Sequence, residues 1–343
     1  MRILHVTESM GAGVATAIGQ YASRNGNGSG DSHSLIARVR DDSFAREPWL
    51  ESVPHTLVPT VPALVGQWVR ARREPFDVVH AHSTIAGQLT RLLPHPRART
   101  VYSPHGLAAV HHRSRAVRSV LSVSERALAG RTSGVAAVSA SEEADVRTIT
   151  DRLRISRLPH ALDVSAEVRP RQARSATVAC VGRLTYQKAP DTVVDLPERL
   201  SDQGFTASCV WVGDGDVEMR GRLEQHGWTV TGWVDSSEVG TLVGSAAVLL
   251  HPARYEGFSL AIVEALAHGT PVIARRIPAN EEFSGVRTFA SYENAVTLVC
   301  ELLAQEDVWE EQSKEAVDYI ERSHGWEAQT RALCRLYGEE GLA

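Results

Sequence analysis

Two carboxylates lie in the part of the chain whose residue types and spacing carry the most specific chemistry, residues 255–274 (YEGFSLAIVEALAHGTPVIA). From Ser259 to His268 this segment is apolar on nearly every side, and Glu264 is its only charge. The pattern predicts a helix buried in a larger core. Because a buried carboxylate without a partner is costly, we expect a polar side chain or a ligand to meet Glu264.

A strand, a loop, a helix and a second strand are predicted around this carboxylate. Residues 248–250 are typical of a buried strand and residues 252–258 of a loop, and Gly269 ends the helix before a strand at 272–274. In an open parallel sheet, ligands bind where such loops leave the carboxyl ends of the strands. The start of the helix adds unpaired N–H groups and a positive dipole, which favour an anion.

The second carboxylate, Glu256, lies in the loop, eight residues before Glu264. At about 1.5 Å per residue, the two residues would be on the order of 10 Å apart. That separation is wide for the paired carboxylates of a retaining glycosidase, which stand roughly 5 Å apart. It suits an extended ligand with hydroxyls at both ends and phosphates between them, such as a nucleotide diphosphate sugar.

The order of these residues, with Glu256 inside EGF, Glu264 inside EA and HGTPVIA after them, resembles the donor-site signature of family 4 retaining glycosyltransferases of the GT-B fold. The resemblance implies that Glu256 faces the donor sugar and that Glu264 holds the ribose hydroxyls. It also implies that three backbone amides lie near the sugar and phosphate, those of Gly257, Phe258 and Ser259. The alternative is that both carboxylates only close local hydrogen bonds on a core helix.

A cationic pair follows the strand predicted at 178–181. After Gly182, Arg183 and Lys188 match the residues that bind the pyrophosphate in the family. Because no bound metal is expected, two fixed cations would neutralise the departing diphosphate. Lys188 is one of only two lysines in the chain, the other being Lys314. An ordinary surface lysine is the alternative.

A glycine loop, Gly11-Ala12-Gly13, follows the first predicted strand and opens a helix, which is the context that a phosphate-binding loop needs. As a dinucleotide fingerprint it is incomplete, because Thr16 stands where the third glycine should be. The family resemblance places this loop across a cleft from the diphosphate and counts Gly11 and Gly13 among the donor-binding residues. A plain tight turn is the alternative.

Histidines occur at two predicted strand ends. His105, in the sequence SPHG, matches the HG element of the family, whose histidine reaches the donor sugar near the reaction centre. A histidine at a strand end can donate to a hydroxyl or to a developing charge. His82 matches a second such element and is left open between function and structure, whereas His80, inside the strand, is expected to be structural. No partner is evident for His251.

The segment TGWV, which contains Trp233 and Val234, matches the part of the family whose backbone commonly reads the nucleobase. The ring of Trp233 could stack on a base. A core position for this tryptophan is the alternative.

The length of 343 residues predicts two domains, and strand and helix patterns alternate in both halves. We therefore expect an α/β protein, and the resemblance implies the GT-B fold, in which two Rossmann-like domains with parallel sheets face a central cleft. The predicted domains are residues 1–165 on the acceptor side and 166–324 on the donor side. A helix at about 325–343 is expected to pack back on the first domain.

Charge differs between the halves, with a net +6 in residues 1–170 and −11 in residues 171–343. A basic first domain fits an anionic acceptor or membrane surface, although solvated surface charge is the commoner meaning. In residues 112–128, apolar residues recur at helical spacing and arginines lie mostly elsewhere; the apolar residues are Val117, Val120, Leu121 and Leu128. This amphipathic helix would either rest on an anionic membrane or pack on its own domain.

No apolar run approaches the roughly 18 to 20 residues of a spanning helix, and the first apolar run is too short for a signal sequence. We therefore expect a cytoplasmic protein, with the inner face of the membrane left open. The four cysteines lack metal-ligand spacing, so neither a metal site nor a disulfide is predicted.

The expected function is that of a retaining glycosyltransferase of the hexosyl or N-acetylhexosaminyl type, without a metal cofactor or a nucleic-acid partner. It would move a sugar from a UDP-sugar, with a GDP-sugar as competitor, to a glycan, a lipid-linked sugar or a small molecule in bacterial polysaccharide, glycolipid or glycosylated metabolite biosynthesis. A GT-B nucleotide-sugar epimerase and a non-catalytic sugar-nucleotide-binding protein are the alternatives. A dehydrogenase is disfavoured by the incomplete glycine fingerprint.

Overall fold

The computed structural model describes residues 1–22, 30–39, 48–162, 164 and 168–338 of the chain. The chain forms two compact units. The N-terminal unit comprises Met1–Ala161 and Glu327–Ala343, and the C-terminal unit comprises Leu162–Trp326. The predicted boundary between residues 165 and 166 falls outside the described residues.

One parallel sheet forms the middle of the N-terminal unit. Within the described residues it contains seven strands: β1 (Arg2–Met10), β2 (Ser32–Val39), β3 (His55–Val58), β4 (Val78–His82), β5 (Arg99–Ser103), β6 (Gly134–Ala137) and β7 (Ile155–Arg157). Their order across the sheet is β3-β2-β1-β4-β5-β6-β7, and every pairing is parallel.

Helices connect these strands, as parallel neighbours require. They are α1 (Ala12–Ala22), α2 (Val61–Ala71), α3 (Thr84–Leu92), α4 (Ala108–His111), α5 (Arg115–Leu128) and α6 (Ala140–Ile149). Near the end of the chain, the helix at Trp326–Tyr337 returns to this unit, where Leu333 and Leu336 share a cluster with Ile3 and Val101.

The C-terminal unit repeats this plan. Its described residues give a parallel sheet of six strands, β8 (Thr177–Val181), β9 (Ser208–Val212), β10 (Trp228–Val230), β11 (Val248–His251), β12 (Val272–Arg275) and β13 (Val286–Phe289), in the order β10-β9-β8-β11-β12-β13. The helices of this unit are α7 (Leu196–Asp202), α8 (Val217–Gln225), α9 (Ser236–Ser245), α10 (Leu260–Ala267), α11 (Pro278–Glu281), α12 (Tyr292–Ala304) and α13 (Glu306–Ser323). The last helix of the chain, Trp326–Tyr337, is α14.

The central strands have helices on both faces, which is why they read as nearly continuous apolar runs. All positions of β4 and β11 are buried. Against this background the polar residues inside the strands stand out. They are His80 and His82 in β4 and His251 at the end of β11.

A buried ion pair ties two helices of the N-terminal unit together. Arg91 on α3 makes two hydrogen bonds to Glu125 on α5, at 2.7 and 3.0 Å, and its guanidinium lies 4.2 Å from the centre of the Tyr102 ring. Both charged side chains are buried. The pair fixes which face of α5 points inward.

Three short strands, β3, β7 and β13, were not predicted from the sequence. β3 has four residues between Pro54 and Pro59, and β7 has three residues at the end of the sheet. Such segments carry too few alternating positions for a periodicity to be recognised. They become strands because a neighbouring strand supplies the hydrogen bonds.

Candidate functional site

The direction of the strand order changes between β8 and β11 in the C-terminal sheet. The loops that follow these two strands therefore diverge and leave a crevice at their carboxyl ends, which is where open α/β sheets bind ligands. Gly182 and Arg183 follow β8, and the loop with Glu256 follows β11. The candidate residues of this unit thus gather at the place that the topology favours.

Glu256 is the best-connected carboxylate of this crevice. Its Oε1 lies 2.6 Å from Nζ of Lys188, and its Oε2 accepts a hydrogen bond of 3.1 Å from Gln187. Nε2 of His251 lies 3.3 Å from the same Oε1. The Glu256 side chain is almost fully buried. Lys188 and Glu256 therefore form a preset pair across the two strand ends.

Electrostatics keep this pair charged. Burial alone would raise the pKa of Glu256, but the Lys188 ammonium and the nearby His251 ring outweigh burial and lower that pKa to about 2. Burial lowers the pKa of His251 below its ordinary value, so this ring is neutral at pH 7. At neutral pH the crevice therefore holds an ionised carboxylate, an ammonium and an uncharged imidazole.

Glycines make the approach of Lys188 feasible. Gly182 has φ 144°, and a Cβ there would lie 2.9 Å from Cε of Lys188. A Cβ on Gly213, after β9, would lie 2.3 Å from the carbonyl oxygen of Gly182, which also accepts a 2.8 Å hydrogen bond from the Trp211 indole. A larger residue at Gly182 would meet the Lys188 side chain, and one at Gly213 would meet the backbone of Gly182.

Arg183 lies directly after Gly182 and is partly exposed. Its neighbour Leu184 is buried in the core. The buried leucine anchors the loop from below, so the arginine remains at the strand end, on the same loop as Lys188.

The start of α10 follows the loop of Glu256. Ser259 is the N-cap residue, and its hydroxyl accepts a hydrogen bond of 3.4 Å from the amide of Ile262. The Phe258 ring packs against Phe283, with the ring centres 5.3 Å apart. Gly257 is buried. The side chains of Phe258 and Ser259 thus have structural partners, and the ligand role expected of these residues concerns their backbone amides.

Glu264 differs from the prediction. The structure places it on α10 as expected, but its side chain is partly exposed rather than buried, whereas the neighbouring Val263 and Ala265 are fully buried. Most side chains of this eight-residue helix are buried, and Glu264 lies on the face that remains partly accessible. The buried carboxylate of the site is Glu256 instead.

Trp233 follows β10 and is 41% exposed, so it is not a core residue. The adjoining Gly232 is buried, and Val234 is partly buried. The Thr231 hydroxyl accepts from the amide of Gly213 at 3.2 Å, which ties the loops after β9 and β10 to each other. An exposed indole on a fixed loop is available for stacking.

Sequence reasoning missed two residues of this crevice, Gln187 and His251. Gln187 holds Glu256 from the side opposite Lys188, and its only signal was its position beside that lysine. His251 is a polar residue at the carboxyl end of a buried parallel strand. That position alone could have indicated it, because ligands bind at such ends.

The N-terminal sheet has its own switch point, between β1 and β4. After β1, Gly11 adopts φ 142°, and α1 begins at Ala12, so Gly13 lies in its first turn. Glu8 accepts hydrogen bonds of 3.0 and 2.9 Å from the amides of Ile85 and Ala86 at the start of α3. A carboxylate of the protein itself thus satisfies that helix start, and the sequence did not indicate it.

His105 has a backbone conformation that is rare for a residue with a side chain, with φ 52°. The next amide, that of Gly106, donates a 2.6 Å hydrogen bond to Glu142, whose other oxygen accepts from Val138 at 2.9 Å. Burial raises the pKa of Glu142 to about 7 and lowers that of His105 to about 4. Strain of this kind persists only where the surroundings enforce it, and it concentrates at functional sites.

The structure also brings histidines of two strands, β1 and β4, close to His105. Nδ1 of His82 lies 3.1 Å from Nε2 of His105, and Nε2 of His82 lies 3.0 Å from Nδ1 of His5. His80, expected to be structural, lies between the Tyr337 hydroxyl at 2.9 Å and the Ser103 hydroxyl at 2.8 Å. Sequence reasoning did not single out His5, because contact between strands that are distant in the chain leaves no local pattern.

Helix α5 presents valines to solvent. Val117, Val120 and Val123 are 38, 68 and 64% exposed, whereas Glu125 and Leu128 face the core. The helix therefore does pack on its own domain, but through a different face from the one that the valines form. Along the parts of the chain that the structure describes, no helix is long and apolar enough to cross a membrane.

Comparison with known proteins identifies two family models along the chain. Residues 13–161 match the glycosyl transferase 4-like domain, and residues 175–305 match the glycosyl transferases group 1 domain. Together the two models cover most of both units.

Individual relatives agree with this result. The chain is 35% identical to a GDP-mannose-dependent alpha-(1-6)-phosphatidylinositol dimannoside mannosyltransferase of Mycobacterium tuberculosis over 122 residues, which are 34% of this chain and 32% of that protein. It is 23% identical to a UDP-Gal:alpha-D-GlcNAc-diphosphoundecaprenol alpha-1,3-galactosyltransferase of Escherichia coli over 67% of each chain. Anabaena HepE, solved with UDP and glucose, superposes with a TM-score of 0.79 at 16% identity, covering 99% of this chain and 100% of that one.

Proposed function

Because this chain is a family 4 glycosyltransferase of the GT-B fold, as the sequence predicted, we propose that it transfers a sugar, with retention of anomeric configuration, from a nucleotide diphosphate sugar to an acceptor hydroxyl. One observation carries the proposal. Lys188 and Arg183 lie at the switch point of the C-terminal sheet, where Glu256 fixes the lysine at 2.6 Å.

The two cations have different tasks in this proposal. Lys188 is already paired with Glu256, so the pair adds no net charge. Glu256 holds the Lys188 ammonium in place before the donor binds. Arg183 supplies a second cation on the same loop. As the bond between the anomeric carbon and the diphosphate oxygen breaks, negative charge develops on that oxygen, and fixed cations stabilise it more than they stabilise the intact donor.

The remaining donor contacts follow from position. The amides of Gly257, Phe258 and Ser259 at the start of α10 are suited to phosphate oxygens. The partly exposed Glu264 carboxylate can accept hydrogen bonds from ribose hydroxyls, and the exposed Trp233 ring can stack on the base. The acceptor hydroxyl gives its proton to the departing phosphate, so no separate catalytic base is required.

For the donor we propose a UDP-sugar, with a GDP-sugar as competitor, and transfer of a hexosyl or N-acetylhexosaminyl group. The name of the E. coli relative specifies UDP-Gal, and HepE was solved with UDP. The name of the M. tuberculosis relative specifies GDP-mannose. For the acceptor we propose a lipid-linked or free glycan hydroxyl of bacterial glycan biosynthesis, with a small molecule as the alternative.

A transfer assay tests this function. The protein is incubated with UDP- and GDP-sugars and a panel of glycan, lipid-linked and small-molecule acceptors, with and without EDTA, and the products are analysed by mass spectrometry and NMR. We expect an acceptor-dependent glycoside of the same anomeric configuration as the donor, formed at an undiminished rate in EDTA. Conversion of the nucleotide sugar without an acceptor would instead identify an epimerase. Donor binding with neither transfer nor slow hydrolysis would identify a binding protein.

We further propose that α5 brings the N-terminal unit to anionic lipid. The exposed valines Val117, Val120 and Val123 form an apolar surface beside the exposed Arg113 and Arg115, which suits an interface between acyl chains and acidic headgroups.

Vesicle cosedimentation tests this contact. Wild-type protein should sediment with phosphatidylglycerol vesicles more than with phosphatidylcholine vesicles, and Val120→Asp should bind about tenfold more weakly or worse, because burial of one valine is worth roughly 1.5 kcal/mol or more. Val217→Asp changes a valine that is 82% exposed on α8 of the C-terminal unit and serves as the matched control. Equal binding of Val120→Asp and wild type would contradict the contact.

A further inference from the structure

Four histidines form a hydrogen-bonded chain inside the N-terminal unit. They come from β2, β1, β4 and the turn after β5, in the order His33, His5, His82 and His105. Nδ1 of His33 lies 3.0 Å from Nε2 of His5, Nδ1 of His5 lies 3.0 Å from Nε2 of His82, and Nδ1 of His82 lies 3.1 Å from Nε2 of His105. Each link therefore joins an Nδ1 to an Nε2.

The rings of His5, His82 and His105 are neutral at pH 7. Burial lowers the pKa of His5 and of His82 well below the ordinary value, and it lowers that of His105 to about 4. A neutral imidazole has one N–H donor and one bare nitrogen that accepts. A ring with a histidine on each side must then donate to one neighbour and accept from the other.

This requirement leaves the chain with two states. His5 and His82 each have a histidine on both sides, so all three hydrogen bonds must run in the same direction. In one state all four rings carry their proton on Nδ1. In the other state all four carry it on Nε2. Mixed arrangements would place two N–H groups, or two bare nitrogens, against each other at about 3 Å, which leaves buried polar groups without a hydrogen bond.

We propose that His33, His5 and His82 are positioning residues that form a proton relay ending at His105, and that the state of the relay decides whether His105 offers a donor or an acceptor to a bound ligand. Nδ1 of His105 makes no hydrogen bond with any other described residue, so it is the nitrogen left for that ligand. In the Nδ1 state it donates, and in the Nε2 state it accepts.

The exchange between the two states balances in protons. Each Nδ1 proton moves along its hydrogen bond to the neighbouring Nε2, His33 gains one proton at Nε2, and His105 releases one from Nδ1. No bond between heavy atoms changes, and no oxidant or reductant takes part. The relay itself is independent of the proposed function, and only its consequence for sugar transfer rests on that function.

A metal ion is a less suitable explanation of this cluster. His5, His80 and His82 do place three ring nitrogens within 4.8 Å of one another. Both nitrogens of His5 and of His82 are already used by neighbouring histidines, and both nitrogens of His80 by the hydroxyls of Tyr337 and Ser103. An ion would have to replace these hydrogen bonds, whereas the neutral relay satisfies them all.

Nuclear magnetic resonance of the full-length protein labelled with ¹⁵N-histidine tests the relay. Long-range ¹H–¹⁵N correlations show which nitrogen of each ring carries the proton. In the wild type we expect His5, His33, His82 and His105 to share one tautomer. Different tautomers within the chain would overturn the proposal, and so would signals of a metal-bound ring on addition of Zn²⁺. This measurement needs no variant and does not depend on activity.

A substitution at the far end tests the coupling. His33→Gln changes the ring most distant from His105 along the chain and should alter the tautomer signals of His105. His55→Gln changes an exposed histidine on the neighbouring strand β3 and should leave them unchanged. An unaltered His105 signal in folded His33→Gln protein would overturn the relay.

Kinetics separate the relay from its role in transfer. With the donor identified, His33→Gln should lower kcat and leave the donor KM unchanged. Shared tautomers with an unchanged kcat would support the relay and overturn only the part of His105 in the reaction. If no transfer is found with any donor, the NMR result still decides the relay.

Discussion

Replacing Lys188 with alanine should lower turnover by roughly 10² to 10³-fold, the loss that follows removal of one preorganised group that stabilises developing charge. The same change should destabilise the C-terminal unit, because it leaves the buried Glu256 carboxylate without its ammonium partner. Breaking a buried pair costs about 3 to 5 kcal/mol, and the lower end applies here since Lys188 is partly exposed and Gln187 still donates to Glu256.

Arg183→Ala is the companion variant. This side chain is partly exposed, so we expect turnover to fall by a similar factor with little change in the free energy of unfolding. Lys314→Ala removes the only other lysine, which is exposed on α13, and should change neither quantity. Full transfer activity in folded Arg183→Ala protein would contradict the role of the cations.

Lys188→Ala should also change how the free energy of unfolding depends on pH. The pKa of Glu256 is about 2 in the folded protein, below the value of about 4.3 for an unfolded glutamate. Glu256 therefore contributes stability above about pH 4.3, and this contribution is lost as the pH falls toward 2. Since Lys188 is the main cause of the lowered pKa, Lys188→Ala should show a smaller loss over this pH window in denaturant titrations.

Local sequence pattern could single out the candidate residues of the C-terminal unit because they lie close together in the chain or at strand ends. Glu256 and the start of α10 are consecutive, and Gly182, Arg183 and Lys188 follow one strand. Only their meeting across β8 and β11 required the fold. The position of β8 beside β11 depends on pairing between segments that are distant in the chain, so it cannot be predicted from either segment alone.

Burial was harder to predict than position. Glu264 carries the same neighbours in sequence whether its helix is enclosed on every side or open on one. The sequence favoured enclosure, and the structure leaves it partly exposed. For Trp233 the sequence left stacking and core packing equally open, and its exposure now favours stacking. In each case the burial of the side chain depends on how other parts of the unit pack around it, and the local sequence does not contain that information.

The histidine chain lay furthest beyond sequence reasoning. His105 and His82 stand at strand ends and could be recognised there, whereas His5 and His33 lie inside β1 and β2. His5 lies between His33 and His82 because β1 lies between β2 and β4 in the sheet. That order brings together residues as far as 77 positions apart in the chain.

Binding of a nucleoside diphosphate should raise the melting temperature of the protein. A nucleoside diphosphate at 100 times its Kd adds about 2.7 kcal/mol to the stability of the form that binds it. For a unit of this size each kcal/mol raises the melting temperature by roughly 2 to 4 °C, so we expect a rise of about 5 to 10 °C. The monophosphate lacks the second phosphate that the cations would hold, and it should raise the melting temperature less at the same concentration.

Two variants separate the contribution of the phosphates from that of the base to the rise in melting temperature. Arg183→Ala should remove most of the difference between diphosphate and monophosphate. Trp233→Ala should weaken both nucleotides by a similar factor, because stacking of a base on an aromatic ring is worth roughly 1 to 3 kcal/mol whichever phosphates follow. An equal loss of the diphosphate advantage in both variants would indicate a general disturbance of the site.

The most direct measurement is the melting temperature of wild type and Arg183→Ala with UDP, GDP, UMP and GMP. The proposed site predicts that one diphosphate raises the melting temperature of the wild type well above the effect of its monophosphate, and that this advantage disappears in Arg183→Ala. If neither diphosphate raises it, or if Arg183→Ala keeps the full advantage, the crevice at the switch point of the C-terminal sheet is not the donor site.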